Sequence, residues 1–312
     1  MTQVAAVRSK RKPWLERIGP LRKVTRAERD AFERDGVTHL RAILPPDWVA
    51  ELAGTLDDCF SEERPVVTGA DLDYSQFAAL AAHLGGTTLN DNPDQQSHGR
   101  ALIKTDVHHV HAGFYFFAHY SPFAQVVADL ADSREVRLYE DQIFLKESGS
   151  GIRTAFHQDA SYFHVGGETC CVCWASPDVV TRENGAMGYV LGSHKWGKIF
   201  QANLFASQTV MPGSIGDTLP DIEGNEADYD IRYIDSAPGD MIIHDYRTVH
   251  GAIGNTSATM GRRAASIRYT TDNAHFLFRQ SAPAAANALR DYSQFSDGDA
   301  FSGEDFPLAW PR

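Results

Sequence analysis

The sequence predicts a mainly β protein with flanking helices, built on a double-stranded β-helix of the jelly-roll kind. Three observations carry this expectation. After residue 135 the chain breaks into eight short strand-like runs separated by glycine-bearing turns, the rhythm of a two-sheet barrel. Before that point the pattern is largely helical and the helix starts are marked by capping residues. No internal repeat and no linker divides the 312 residues, a length that one large domain accommodates.

Residues 1–24 are expected as a flexible N-terminal tail, and residues 25–312 as a single domain. The apolar run Val4-Ala5-Ala6-Val7 is too short for a signal h-region or a membrane span. Thr25 with Glu28 three residues later makes a capping-box pattern, so a short helix runs to about Asp35 and closes at Gly36. Val37 to Leu44 alternates toward a strand, and Pro45-Pro46-Asp47 opens a second helix to about Phe60. Residues 61–100 are mixed, with a polar loop over 90–100, and Ser121 to Ala131 reads as helical. Strands are expected over Val136–Lys146, Thr154–His157, Thr169–Ser176, Gly188–Leu191, Asp230–Tyr233, Asp240–His244, His250–Ala252 and Ala264–Thr271, the last extending back to Arg262. Residues 201–230, with Pro212-Gly213, Leu219-Pro220 and an acidic run to Asp230, read as an insertion; a long loop of this kind is expected to be a lid.

A net charge of -12 argues against a general nucleic-acid surface and against anionic membranes. Of four cysteines, Cys170, Cys171 and Cys173 share one apolar run whose spacing is unlike a metal knuckle. They are expected in a buried strand, as small hydrophobes.

The chemistry is carried by His157-Gln158-Asp159 and by His250, 93 residues later. On an extended strand His157 and Asp159 point to one face, and His250 on a second strand can close a three-ligand site. Two imidazoles and a carboxylate on one face of iron(II) leave three positions open for a co-substrate and dioxygen. His108, His109 and His111 form a denser cluster, but no carboxylate partner is evident, and they are expected on a polar surface or pocket-rim strand. His244, beside Asp245, is a rival ligand. Arg262-Arg263 follows His250 on the last strand, and a guanidinium there can hold a dicarboxylate by a bidentate fork. Alternation puts Arg262, Ala264, Ser266 and Arg268 on one face and Arg263, Ala265, Ile267 and Tyr269 on the other; it does not say which face enters the barrel.

These stretches resemble the phytanoyl-CoA dioxygenase family of iron(II)- and 2-oxoglutarate-dependent oxygenases. The matching segments are Phe156 to Phe163, Glu183-Asn184-Gly185-Ala186-Met187, Leu191-Gly192-Ser193-His194, Pro238-Gly239-Asp240, His250-Gly251, Asn255, Arg262-Arg263 and Ser266-Ile267-Arg268-Tyr269, with Phe32 to Val37 as the opening. The resemblance implies a cupin-like core. It implies His157, Asp159 and His250 as iron ligands, Arg262 on the distal carboxylate of 2-oxoglutarate, and Gln158 and Trp174 in the co-substrate pocket. Gln142 or Lys146 is a looser candidate there. One departure is Ala252, where relatives often carry a small hydroxyl residue.

The expected function is therefore oxidation, foremost hydroxylation, of an unactivated C–H in a small molecule, with iron(II), 2-oxoglutarate and dioxygen consumed to give succinate and carbon dioxide. Desaturation, cyclisation, epimerisation and endoperoxidation share this apparatus, whereas Asp159 disfavours halogenation. A cupin-like metal protein without 2-oxoglutarate turnover is the alternative, though it has no use for the trailing arginine. An acidic insertion suits a coenzyme-A thioester poorly, and a secondary-metabolite or amino-acid-like substrate is expected. Reduced thiols and oxidisable iron together fit the cytoplasm.

Overall fold

Thr25 caps the first helix as its spacing predicts: its hydroxyl accepts from the Glu28 amide and the Glu28 side chain returns to the Thr25 amide. The computed structural model describes residues 11–312 except 64, 65, 67, 69, 92–98, 281 and 283–289. In chain order its helices are α1 (Arg26–Asp35), α2 (Pro46–Phe60), α3 (Tyr74–His83), α4 (Ala112–Tyr120) and α5 (Phe123–Ala131). Its strands are β1 (Val37–Leu40), β2 (Ala70–Asp73), β3 (Ala101–Thr105), β4 (Val136–Lys146), β5 (Thr154–Gln158), β6 (Val165–Gly167) and β7 (Cys170–Ala175). They continue with β8 (Met187–Val190), β9 (Ile231–Ile234), β10 (Met241–Asp245), β11 (Val249–Ala252), β12 (Arg262–Thr271), β13 (Ala274–Phe276) and β14 (Leu308–Trp310).

Two antiparallel sheets make the barrel. The major one runs β1-β10-β7-β12-β4-β3-β2, with β14 added to β4, and the minor one runs β5-β11-β8-β9. This is the jelly-roll architecture expected, and all eight strands anticipated after residue 135 form. The short ribbon β13-β6 lies beside them.

Alternation sorts the two faces of the major sheet. Cys171, Cys173, Ile243, Ala265, Ile267 and Tyr269 pack with Leu52, Leu56, Phe114, Phe117, Val126 and Val127 of the helices. Trp174, Ile242 and Ala264 face the other way, toward Tyr189 and Ala186. The undecided face of β12 is thereby settled: Arg262, Ser266 and Arg268 share the parity of Ala264 and enter the barrel, while Arg263 lies on the outside. All four cysteines are buried and free.

Several expectations are corrected. Residues 1–10 of the expected tail lie outside the described residues, but its remainder docks on the domain. Leu15 is buried, Trp48 Nε1 donates to the Ile18 carbonyl at 2.8 Å, and the Leu21 amide donates to the Ile43 carbonyl at 2.9 Å. The strand from Val37 stops at Leu40. Helix α4, with Phe114, Phe116 and Phe117 buried against α2, fills a segment to which the sequence pattern assigns no element. Helix α3 and strands β2 and β3 occupy the region read as mixed, of which residues 92–98 of the polar loop are not described. Among the described residues no helix is long and apolar enough to cross a membrane.

Trp48 holds the helical layer to the N-terminal segment, since it stacks on Phe116 at 5.6 Å and binds Ile18 through its indole. Trp48→Ala is expected to cost about 3–5 kcal/mol in urea unfolding. It should also speed tryptic cleavage at Arg17 and Lys23 in the native protein; unchanged cleavage would show that the segment docks without Trp48.

Candidate active site

His157 and His250 stand directly opposite each other in the β5–β11 register, and Asp159 follows where β5 ends. Their rings are 4.3 Å apart. Asp159 Oδ1 lies 3.4 Å from His157 Nε2 and 3.8 Å from His250 Nε2, so three donor atoms converge on one point. Each imidazole turns Nδ1 toward a backbone carbonyl, His157 to Ala155 and His250 to Thr248, both at 2.9 Å. Donation from Nδ1 leaves the Nε2 lone pair for a metal. Burial, reinforced by His244 and His157, holds the His250 pKa well below its usual value, so the ring is neutral as a ligand must be. Burial opposes the charge on Asp159, but Arg268, His250 and His157 outweigh it and hold the carboxyl well below its ordinary range.

Arg268, on the same face of β12 as Arg262, has a role that no motif spacing assigns. Its Nη2 donates to Gln142 Oε1 at 2.7 Å and approaches Asp159 Oδ2 at 3.3 Å. The same guanidinium thus steadies an iron-ligand candidate and orients Gln142.

Beside the triad lies a small cavity of about 30 Å³, lined by His157, His250, Trp174, Gln142, Arg262 and Ser266 among others. Arg262 is 2% exposed, makes no hydrogen bond or close ion pair with any described residue, and buries Nε without a partner. Burial lowers its pKa only to about 10, so it stays charged at neutral pH. An uncompensated buried cation is costly unless a ligand supplies the anion. The Trp174 ring lies 5.4 Å from the guanidinium, and its Nε1 is likewise buried and unpartnered. Gly185, at φ 104°, leaves room here, because a Cβ would come 3.2 Å from Arg262 Nη2. Orphan donors around a cation are what a dicarboxylate satisfies, so the residues fit 2-oxoglutarate. A cavity of this size holds about two waters. A five-carbon diacid would need wall side chains to move, and of these Met187 and Phe205 are incompletely buried.

Arg263 is engaged elsewhere, donating to Asp178 through Nη2 at 2.6 Å and pairing with Asp57. Gln158 does not reach the cavity. It points to the opposite side of β5, where Nε2 donates to the Arg247 carbonyl at 2.8 Å and Oε1 accepts from the Phe200 amide at 3.2 Å. Lys146 lies behind Arg262, its Nζ taken by the carbonyls of Ile253 at 2.9 Å and Ile152 at 3.2 Å. His244 lines the small cavity but stands outside the converging donor set. Ala252, the departure from the family pattern, also lines it.

The second histidine cluster is not a rim strand. Val107–His109 is a single 3-10 turn on the helix side of β4, and His108 pairs through Nδ1 with Asp141. Asp141 is the carboxylate that sequence distance hid. Asp106, His108 and His109 lie close enough to suggest a metal, but Asp106 is already paired with the Arg290 guanidinium. His111 caps α4, accepting from the Phe114 amide at 3.0 Å.

On the other side of the triad a cavity of about 230 Å³ is walled by Leu72, Phe77, Leu80, Ile103, Leu204 and Met211, with Phe163, Tyr162, Thr105, Glu140, Gln142 and Asp159 on its inner side. Phe205, from the insertion, stands edge-on to His157 at 5.1 Å and stacks with Tyr162 at 5.2 Å. It lines both cavities, as does Gln142.

The model of the phytanoyl-CoA dioxygenase (PhyH) family matches residues 32–264. The chain belongs to this family of non-heme iron, 2-oxoglutarate-dependent oxygenases. Among solved structures it resembles the 2-oxoglutarate-dependent epimerase SnoN from nogalamycin biosynthesis, at 22% identity and TM-score 0.61, covering 91% of this chain and 97% of that one. The carbocyclase SnoK of the same biosynthesis is similar at 19% identity and TM-score 0.62, over 91% and 96% of the chains. EctD from S. alaskensis, solved with 2-oxoglutarate and 5-hydroxyectoine, matches at 20% identity and TM-score 0.54, over 84% and 83%. No curated protein matches the chain.

The two arginines separate cleanly by experiment. Arg262→Ala is expected to weaken 2-oxoglutarate binding by about 30-fold or more, the loss of one partner of a buried charge pair. Arg263→Ala should leave that affinity within about twofold while lowering stability by about 1 kcal/mol, as for a half-exposed ion pair. Anaerobic titration followed by the visible charge-transfer band of the iron(II) complex reads both; the reverse order would move the co-substrate site.

Proposed function

We propose that this protein oxidises a C–H bond of a small, largely apolar molecule bound in the larger cavity, with His157, Asp159 and His250 holding iron(II) and Arg262 holding the far carboxylate of 2-oxoglutarate. One observation carries the reading: the donor triad stands between two cavities of opposite character. One is small and polar, with an unpartnered cation; the other is larger and apolar. A co-substrate and a substrate of different chemistry can then meet at one metal.

Iron with 2-oxoglutarate and dioxygen supplies the oxidising power toward carbon, with succinate and carbon dioxide as the co-products. The chain supplies placement. Arg268 keeps Asp159 charged and fixes its orientation, the Ala155 and Thr248 carbonyls fix the two imidazoles, and Gln142 and Phe205 form the partition between the cavities. Phe205 belongs to the 201–230 insertion, so this insertion acts as the lid that keeps water from the apolar side. SnoN is an epimerase and SnoK a carbocyclase by description, so hydrogen removal from carbon with an outcome other than hydroxylation is the second reading. The retained Asp159 speaks against halogenation. The secondary-metabolite expectation gains support from these relatives, and the apolar wall fits an amino-acid-like substrate less well.

Wild-type protein with iron(II), 2-oxoglutarate and oxygen should form succinate slowly without substrate and faster with one. His157→Ala should lower both rates by at least about 100-fold while leaving the far-UV spectrum unchanged. Succinate formation at the wild-type rate in this variant would defeat the ligand assignment.

A further inference from the structure

Among the described residues, Glu140 is the one acidic side chain in the wall of the apolar cavity that the iron site does not employ. It is 2% exposed, and its Oε2 is buried without a hydrogen-bond partner. It reaches the interior by strand alternation, on the face of Gln142, and an irregularity in β4 follows directly beside it. Opposite β12, Arg268 pairs with Glu140 but Tyr269 pairs with Leu138, which leaves Tyr139 as an extra residue. A bulge of this kind re-aims side chains, and here both Tyr139 and Glu140 turn inward. Two arginines stand near the carboxyl, Arg268 Nη1 at 4.0 Å and Arg290 Nη1 at 3.7 Å. Both are engaged with other groups: Arg268 with Asp159 and Gln142, Arg290 with Asp106 and, through Nε at 3.0 Å, the Tyr139 carbonyl. Neither comes within hydrogen-bond distance of Glu140.

A buried carboxyl oxygen without a partner is costly and calls for a ligand group that hydrogen-bonds to it. The group's charge follows from its neighbours. An ammonium at Glu140 would face two guanidinium groups that stand 3.7 and 4.0 Å from the carboxyl, and a carboxylate would meet the charge of Asp159. A hydroxyl has neither conflict and can both donate and accept. We propose that Glu140 is a specificity-determining residue that binds a hydroxyl group of the substrate, and that the substrate is a neutral, largely hydrocarbon alcohol. This rests on the oxygenase reading for the reaction but not for the binding. Burial, against the pull of Arg290 and Arg268, pushes the Glu140 carboxyl up, toward the uncharged form that suits a neutral partner. Because Arg268 approaches both Glu140 and Asp159, the hydroxyl is held at the triad end of the cavity. Oxidation then falls on a carbon near the hydroxyl, not at the far apolar end of the molecule.

The test uses metal-free full-length protein and a matched bicyclic set: decalin-2-ol, its methyl ether, 2-aminodecalin and decalin itself, titrated by calorimetry. The alcohol is expected to bind about tenfold more tightly than the ether, the amine or the hydrocarbon. Glu140→Leu should reduce that advantage to within twofold while leaving 2-oxoglutarate binding to the iron(II)-loaded protein unchanged; Glu140→Gln, which keeps a hydrogen-bonding head, should retain part of it. Equal binding of alcohol and ether by the wild type overturns the proposal whether or not the leucine variant folds, and so does preference for the amine or an undiminished preference in a folded Glu140→Leu. Alcohol preference without any succinate formation from iron(II) and 2-oxoglutarate would overturn the oxygenase reading alone. Succinate release stimulated equally by decalin and decalin-2-ol would overturn this proposal alone.

Discussion

A carboxylate buried inside a protein stays charged only if the interior compensates it, and the architecture of this barrel turns on that constraint at Asp159. The compensation comes from Arg268, 3.3 Å away and itself buried. For the pair to exist, β12 must present even-numbered residues inward, and its partner strands must hold it in that register. The outer parity, Ala265, Ile267 and Tyr269, then packs against the helices. The helical layer is therefore more than a cover, since its apolar contacts lock the strand parity that delivers Arg262, Ser266 and Arg268 to the site. A slip of one residue in β12 would put three apolar side chains where the charges belong and bury the arginines under helices.

The same strand pair divides the interior. Gln142, oriented by Arg268, lies in the wall of both cavities, with Phe205 completing the partition from the insertion side. On one side, orphan donors collect around Arg262; on the other, apolar side chains from α3, β2, β3 and the insertion make a wall with one unmatched carboxyl. The bulge at Tyr139 sets where the second begins, because it breaks the alternation that would otherwise send Tyr139 toward the helices.

Much of this was legible in the sequence because the physics is local or periodic. The HxD pair reads from strand alternation, the capping box from a spacing of three, and the eight barrel strands from runs between turns. The choice between Arg262 and Arg263 was not legible, because it depends on which face of β12 the helices cover. Gln158 shows the same limit from the other side: lying between two inward residues on β5, it points outward and ties down the loop at Phe200. Asp141 and Arg290 are distant in sequence from the residues they pair with, so the His108 cluster gave no sign of its carboxylate. The segment of α4 was silent for a different reason, since a run of phenylalanines has strand propensity while a tertiary surface makes it a helix.

The charges at the centre pair off, save one. Asp159 is matched by Arg268, and Arg290 by Asp106. A divalent iron and a dianionic 2-oxoglutarate would cancel each other, which leaves the positive charge of Arg262, the proposed partner of the distal carboxylate, in excess. An interior with that excess has no counter-ion to offer an additional cation, and an additional anion would compete at the arginine proposed for the co-substrate. The larger cavity is accordingly a place for a neutral molecule, recognised by shape along its apolar wall and by hydrogen bonding at its inner end. On the proposed assignment, one arginine selects the co-substrate by charge while the substrate is selected without charge, so the two ligands do not exchange sites.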